Sequence, residues 1–155
     1  MTHRHDYFTV RPLEVEDAGL VAALLRKQPA EYARFFYAWS SDEAEIGKAL
    51  AARARDCYAG LFWSGELVGF YMLRGWDAGY DVPAFGVLID IQHRGGSFMR
   101  VALDIAKMTA RLAGATRLMA KIHPDNVSPA GARRLGLVET GREESTGNII
   151  YHHEL

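Results

Sequence analysis

The stretch Arg94-Gly95-Gly96-Ser97 has the residue types that take up an anion. It follows an apolar run, Ala84 to Ile91, and precedes Phe98, Val101, Ala102, Ile105, Thr109 and Leu112, whose spacing predicts a helix. A strand, a short glycine turn and a helix together present unbonded backbone N–H groups and the positive end of a helix dipole. Glycine lets the backbone come close to a phosphate, Ser97 adds a hydroxyl donor and Arg94 adds charge. The turn is too short for a Walker loop and no G-x-G-x-x-G is present, so NTPase and dinucleotide chemistry fail at their own motifs. A tight turn without a ligand is the alternative, and two glycines alone do not decide between them.

Two other features bear on chemistry. Tyr32, Phe35, Phe36 and Trp39 fall at i, i+3, i+4 and i+7, which predicts one aromatic face of a short helix, either a ligand wall or plain core. Cys57 is the single cysteine, so no intramolecular disulfide forms, and a packed side chain is the expected role. His3, His5, His93, His152 and His153 have no carboxylate or cysteine partners at ligand spacing, and no metal site is expected.

The elements that must position these groups follow from periodicity. Phe8-Thr9-Val10-Arg11 reads as a strand stopped by Pro12, and Ala18, Val21, Leu24 and Leu25 as a first helix behind Glu16 and Asp17. Ser40 with Glu43 reads as a capping box for a helix to about Arg55. Leu61-Phe62-Trp63 and Leu67 to Leu73 flank Ser64-Gly65-Glu66 as a hairpin, and Gly75 to Pro83 is a loop. The run Ala84 to Ile91 suits a central strand covered on both faces, and Gly114 ends the helix after it. Thr116 to Ile122 is another strand, His123-Pro124-Asp125-Asn126 a turn, and a short helix runs to about Leu135. Leu137 to Thr140 and Asn148 to His153 close the chain as a hairpin. The order β-α-α-β-β-β-α-β-α-β-β is an α/β (α+β) arrangement, with antiparallel strands followed by a parallel strand-helix-strand unit.

Composition bounds the reading. At 155 residues, with 49% hydrophobic and 24% charged side chains, the chain is expected to form a single domain over 1–155, with residues 1–7 flexible. A net charge of −1 gives no broad positive field, so nucleic acid is not expected as a partner. The N-terminal residues lack an apolar signal core and no run reaches ~18 apolar residues, so no membrane association and a cytoplasmic location are expected.

The segment Ile89 to Leu103 resembles the acyl-CoA-binding motif of the GNAT N-acetyltransferases, in which Arg/Gln-x-x-Gly-x-Gly/Ala follows the central strand and opens a helix carrying Ala-Leu. Val10-Arg11-Pro12-Leu13 through Asp17-Ala18, and Gly65 to Phe70, agree with that family. His123 to Ser128 and Arg134-Leu135-Gly136-Leu137 resemble its second motif, Asn-x-x-Ser followed by Lys-Leu-Gly-Phe. The resemblance covers about residues 8–155 and implies the GNAT acyl-CoA N-acyltransferase fold, a mixed, mostly antiparallel twisted sheet flanked by helices. Two family glycines fall on Ser97 and Met99, the second motif is one residue short between Asn126 and Ser128, and Ala132 stands where a tyrosine acid is frequent.

The resemblance implies acetyl-CoA as co-substrate, without a metal, and direct attack of a primary amine on its thioester. Backbone near Ile89 and Ile91 would hold the pantetheine; Gln92, Arg94, Gly95, Gly96 and Ser97 would hold the pyrophosphate, with Phe98, Met99, Asn126 and Arg133 completing the cofactor set. Asp90, His123, Asp77 and Asp81 are the candidate bases, with His123 first because it ends the neighbouring strand and imidazole titrates near neutrality. A histidine capping the following turn is its alternative. Tyr80 and Tyr151 are the candidate substitutes for the missing acid. Tyr32, Phe36, Trp39, Trp76 and Asp77 would line the acceptor site, for a small-molecule amine such as an amino sugar or aromatic amine. Protein lysine or N-terminal acetylation, or CoA binding without turnover, are the rival readings, and a homodimer stays open.

Overall fold

A computed structural model describes residues 6–155. The expectation that residues 1–7 are flexible falls largely on 1–5, outside the described residues, as do His3 and His5. Seven strands form one sheet in the order β1-β2-β3-β4-β5-β7-β6: β1 Phe8–Pro12, β2 Cys57–Trp63, β3 Glu66–Arg74, β4 Ala84–Ile89, β5 Arg117–Ile122, β6 Val138–Arg142 and β7 Ile149–Glu154. All neighbours are antiparallel except β4 and β5. The expected architecture, a mostly antiparallel mixed sheet with one parallel pair, is present.

Local chemistry sets the turns. Ser64 and Gly65 between β2 and β3 have φ of 50° and 85°, the pair of left-handed residues that a two-residue hairpin needs to match strand twist. Helices α1 (Ala18–Arg26) and α3 (Glu43–Ala52) cover one face, burying Val21, Leu24, Ile46 and Leu50 against Phe70, Met72 and Leu88. On the other face α4 (Phe98–Leu112) lays Ala102, Leu103, Ala106 and Ala110 on Leu61, Val68, Tyr71 and Phe85. Three alanines let the helix lie close to the sheet, and burying Leu103 stabilises the fold by about 2 kcal/mol. Helix α5 (Pro129–Arg134), capped by the Ser128 hydroxyl accepting from Gly131 N–H, packs Ala132 against Leu137, Ile149 and Tyr151.

Two sequence expectations differ from the structure. Helix α3 is capped by Asp42, whose carboxylate accepts from Glu45 N–H at 3.1 Å, and not by Ser40, because Asp42 immediately precedes the first helical residue. The aromatic run does not share one helical face. Helix α2 is a single turn, Ala30–Ala33, and the chain leaves it before Phe35. Tertiary partners decide each ring separately: Phe36 meets Phe70 edge-on at 5.4 Å, Trp39 stacks on Phe70 at 5.6 Å and meets Tyr58 at a tilt at 5.0 Å, and Phe35 faces His123.

Strands β4 and β5 touch at one register position, Ala84 opposite Met119, reinforced by Met119 N–H donating to the Pro83 carbonyl at 3.0 Å. Beyond it they part, and the opening between them organises everything described next.

Candidate active site

A cavity of about 490 Å³ passes through the sheet at this opening. On the α4 side it is lined by Val87, Met99, Leu103, Asn126, Val127 and Leu137. On the α1–α3 side its wall comprises Phe35, Phe36, Tyr37, Arg74, Lys121 and His123, and the β6–β7 hairpin adds Glu143, Thr146 and Asn148. Period-two alternation along β5 explains the division: Met119, Lys121 and His123 face one side, Leu118, Ala120 and Ile122 the other.

At the α4 end of the opening, the turn before the helix carries a set of unused donors. Among the described residues, none of the N–H groups of Gly95, Gly96, Ser97, Phe98 and Met99 has a backbone acceptor, and the Ser97 hydroxyl makes no cap bond. Gly95 has φ +89° and open space where a Cβ would stand. The first turn of a fifteen-residue helix, its dipole and these donors make a place that fits a pyrophosphate. Gln92 lies outside the set, its N–H given to Asp90 at 3.2 Å. Met99 turns its side chain into the cavity beside Leu103, so its bulk narrows the channel through the sheet and leaves the turn open. Arg94, although exposed, is tied down: its guanidinium lies 4.7 Å from the Tyr32 ring and donates to the Asn126 carbonyl and Oδ1, both at 2.9 Å.

The free edge of β4 is already occupied. Asp90 N–H donates to the Val68 carbonyl in the β3–β4 ladder, so the N–H and carbonyl of Ile89 point the other way, into the opening. There the Tyr32 hydroxyl donates to the Ile89 carbonyl at 2.7 Å and receives its N–H at 3.4 Å. Burial pushes the Tyr32 phenol up, which keeps it a donor. Ile91 N–H donates to Gln28 Oε1 at 2.9 Å. Gln28 and Tyr32 thus cover both backbone positions expected to receive a pantetheine.

The candidate bases separate. Asp90 is buried, pairs with Lys27 at 2.5 Å and accepts from Gln92 N–H and Gln28. Burial pushes its carboxyl up, but Lys27, the Gln92 N–H and Gln28 outweigh it and hold the group below the usual carboxylate range. It does not line the cavity. Asp77 accepts Ala54 N–H at 2.9 Å and Arg55 N–H at 2.6 Å, ending α3, and those bonds depress its carboxyl. Trp76 is core under α4, while Tyr80 and Asp81 are exposed loop residues, so this loop does not face the cavity. The Tyr151 hydroxyl has no partner among the described residues, and the charges that act on its buried phenol are Glu139 and Arg142 on the edge strand β6 and Arg133 on α5. Arg133 is exposed and outside the cavity.

His123 does line the cavity. Its Nδ1 accepts Asp125 N–H at 3.1 Å, which assigns the proton of the neutral ring to Nε2. On taking a second proton, Nδ1 would lose that bond and face the Asp125 carboxylate, 3.7 Å away. The ring packs on Phe35 at 5.5 Å, and the missing side chain of Gly147 leaves space beside Nε2. Of the expected acceptor wall, Phe36 lines the cavity, whereas Tyr32 seals β4 and Trp39 is packed on the core.

Sequence reasoning missed Glu143, Thr146 and Asn148. Glu143 Oε1 accepts from Lys121 at 2.6 Å and Oε2 from Thr146 at 3.0 Å; these partners hold its carboxyl below the usual range. Asn148, buried, exchanges hydrogen bonds with the Tyr37 hydroxyl. No group of three or more His, Cys, Asp or Glu that could hold a metal occurs among the described residues, and none of their helices is long and apolar enough to cross a membrane.

Comparison with known proteins supplies the context. The model of the acetyltransferase (GNAT) domain matches residues 8–138. Among curated proteins no sequence match is found. The GNAT domain of S. lividans PAT superposes with a TM-score of 0.80 at 18% identity, covering 100% of this chain and 99% of that one. PaiA N-acetyltransferase from Thermoplasma acidophilum, solved in complex with coenzyme A, gives 0.78 at 13% identity over 96% and 99%. The ribosomal-protein-S5-alanine acetyltransferase of Vibrio fischeri gives 0.77 at 16% identity over 95% and 92%. At these identities the likeness is one of fold.

Proposed function

The chain belongs to the GNAT acetyltransferase family, acyl-CoA-dependent N-acyltransferases that use acetyl-CoA as co-substrate, and from that premise we propose that it acetylates a primary amine of a small molecule inside the cavity between β4 and β5. The observation that carries this reading is the cavity itself. One continuous space joins the side next to the unbonded N–H turn with an aromatic wall and a histidine on the opposite face. A shallow groove would suit a protein acceptor; a pocket through the sheet suits a small one.

When bound, acetyl-CoA supplies an acetyl group activated as a thioester. The N–H groups of Gly95 to Met99 would hold the pyrophosphate, helped by the α4 dipole. Ile89 would offer its N–H and carbonyl to the pantetheine in place of Tyr32, and Asn126 stands at the mouth between β5 and α5. Conversion of an ammonium and a thioester to an amide and a thiol releases one proton net. His123 takes the proton from the amine, with Asp125 stabilising the charged ring. Phe35 and Phe36 exclude water from the reacting nitrogen. The ammonium would give up two protons in all: one taken by His123 and released, the other passing through solvent to the departing sulfur, since neither Tyr80 nor Tyr151 lines the cavity.

The test is thiol release with acetyl-CoA across a panel of small amines and peptides, alongside calorimetric binding of acetyl-CoA. Turnover confined to peptides would move the acceptor to a protein, and acetyl-CoA binding without thiol release would favour a binding module.

A further inference from the structure

The α1–α3 half of the cavity has an unbalanced charge. Three permanently charged side chains line the cavity, Arg74, Lys121 and Glu143, which leaves one net positive charge. The single carboxylate is spent, one oxygen on Lys121 and the other on Thr146. Arg74 makes no ion pair and its guanidinium no hydrogen bond among the described residues. Two neighbouring acids bond to backbone: Asp56 Oδ1 accepts Gly75 N–H and Asp77 N–H, each at 3.1 Å, and Asp77 accepts Ala54 N–H and Arg55 N–H just beyond α3. At the rim, Arg34 stacks on Phe35 and faces Asp125 at 3.7 Å. The two acids that could have received a cationic acceptor, Asp77 and Asp81, lie outside the cavity.

Building on the acetyltransferase reading above, we infer that the acceptor is an amine bearing its own oxyanion, a carboxylate or a phosphate, which Arg74 holds. An unpaired guanidinium at the exposed end of β3, on the cavity wall, is a fork for such a group, and the net positive charge of the lining disfavours an acceptor carrying a second ammonium. Position adds a length requirement. Arg74 ends β3 opposite Ala84, which in turn faces Met119 at the closed end of the opening, and His123, just past the end of β5, lies four residues beyond Met119, roughly 13 Å along the strand direction at about 3.3 Å per residue. The amine and the oxyanion are therefore several bonds apart, with the aromatic wall of Phe35 and Phe36 alongside the amine end.

Initial rates of thiol release with acetyl-CoA test this on matched amines: glucosamine 6-phosphate against glucosamine, and 6-aminohexanoate against 6-aminohexanamide and 1,6-diaminohexane. The expected result is a kcat/KM at least tenfold higher for the anionic member of a pair, the pair concerned telling phosphate from carboxylate. Arg74→Ala raises KM for that acceptor roughly tenfold or more, as loss of a charge-assisted hydrogen bond does, without changing the calorimetric Kd for acetyl-CoA; Arg74→Lys keeps part of the effect. Equal or faster turnover of the uncharged or dicationic member in both sets overturns the inference, as does an unchanged KM in Arg74→Ala. Failure of all five amines in a protein that binds acetyl-CoA also overturns it. Absence of acetyl-CoA binding instead removes the acetyltransferase reading on which it rests.

Discussion

The Tyr32 hydroxyl donates to the Ile89 carbonyl at 2.7 Å, covering the end of the β4 edge that β5 leaves unpaired. Tyr32 lies in α2, three and four residues before Phe35 and Phe36, which line the cavity.

Removing that hydroxyl leaves the Ile89 groups unsatisfied in the free protein, which raises the free state relative to the complex. Tyr32→Phe is expected to tighten acetyl-CoA binding about three- to tenfold and to lower stability by about 1 kcal/mol, the net worth of one hydrogen bond. Calorimetry and denaturant unfolding measure both. Weaker binding would make Tyr32 a contact to the co-substrate and not its competitor.

Gly95→Asp places an acid among the unbonded N–H groups and is expected to abolish acetyl-CoA binding. Because Gly95 has φ +89°, any other residue there costs about 1 kcal/mol of backbone strain, so Gly95→Ala is the control that carries the strain without the charge. Binding that survives in Asp as well as in Ala would remove the anion site from this turn.

Asp90 holds Lys27 and the turn after β4, away from the cavity. Asp90→Asn is expected to cost about 1–3 kcal/mol, reduced from a fully buried pair because Lys27 is half-exposed. The folded-state carboxyl is held below its unfolded value, so its contribution is complete above about pH 4 and is lost as pH falls through the lowered value. The gap between the wild-type and variant stability curves therefore narrows in acid. A shifted pH profile of turnover in Asp90→Asn, with stability unchanged, would return Asp90 to the catalytic group.

His123→Ala is expected to lower turnover roughly 10²-fold, the lower range for loss of a general base, and to flatten the acid limb of the pH profile at unchanged acetyl-CoA Kd. His123→Asn separates the two roles, since its amide oxygen can still accept Asp125 N–H but cannot titrate. Recovery of turnover in Asn would assign the histidine to the turn alone.

Much of this frame was legible because it is local. Ser64-Gly65, Gly114 and the turn at Gly95 each need a left-handed residue, and glycine announces two of the three turns and shares the hairpin with Ser64. The β4–turn–α4 unit was readable for the same reason. The aromatic run 32–39 misled because each ring answers to a different distant partner, and an i, i+3, i+4 pattern cannot show that Tyr32 is drawn to Ile89 while Trp39 is drawn to Phe70 and Tyr58. Glu143 and Asn148 sat in a polar hairpin with no local mark. Only the order β5-β7-β6 brings that hairpin beside Lys121 and His123. Gln28 was invisible likewise, since its partner Ile91 is far along the chain.

Backbone amide resonances followed during a titration with acetyl-CoA test the central claim most directly. The largest shifts are expected at Gly95, Gly96, Ser97, Phe98 and Met99, where the N–H groups gain an acceptor, and at Ile89, where Tyr32 is displaced. Saturable binding that leaves these amides unmoved would place acetyl-CoA elsewhere and contradict the account.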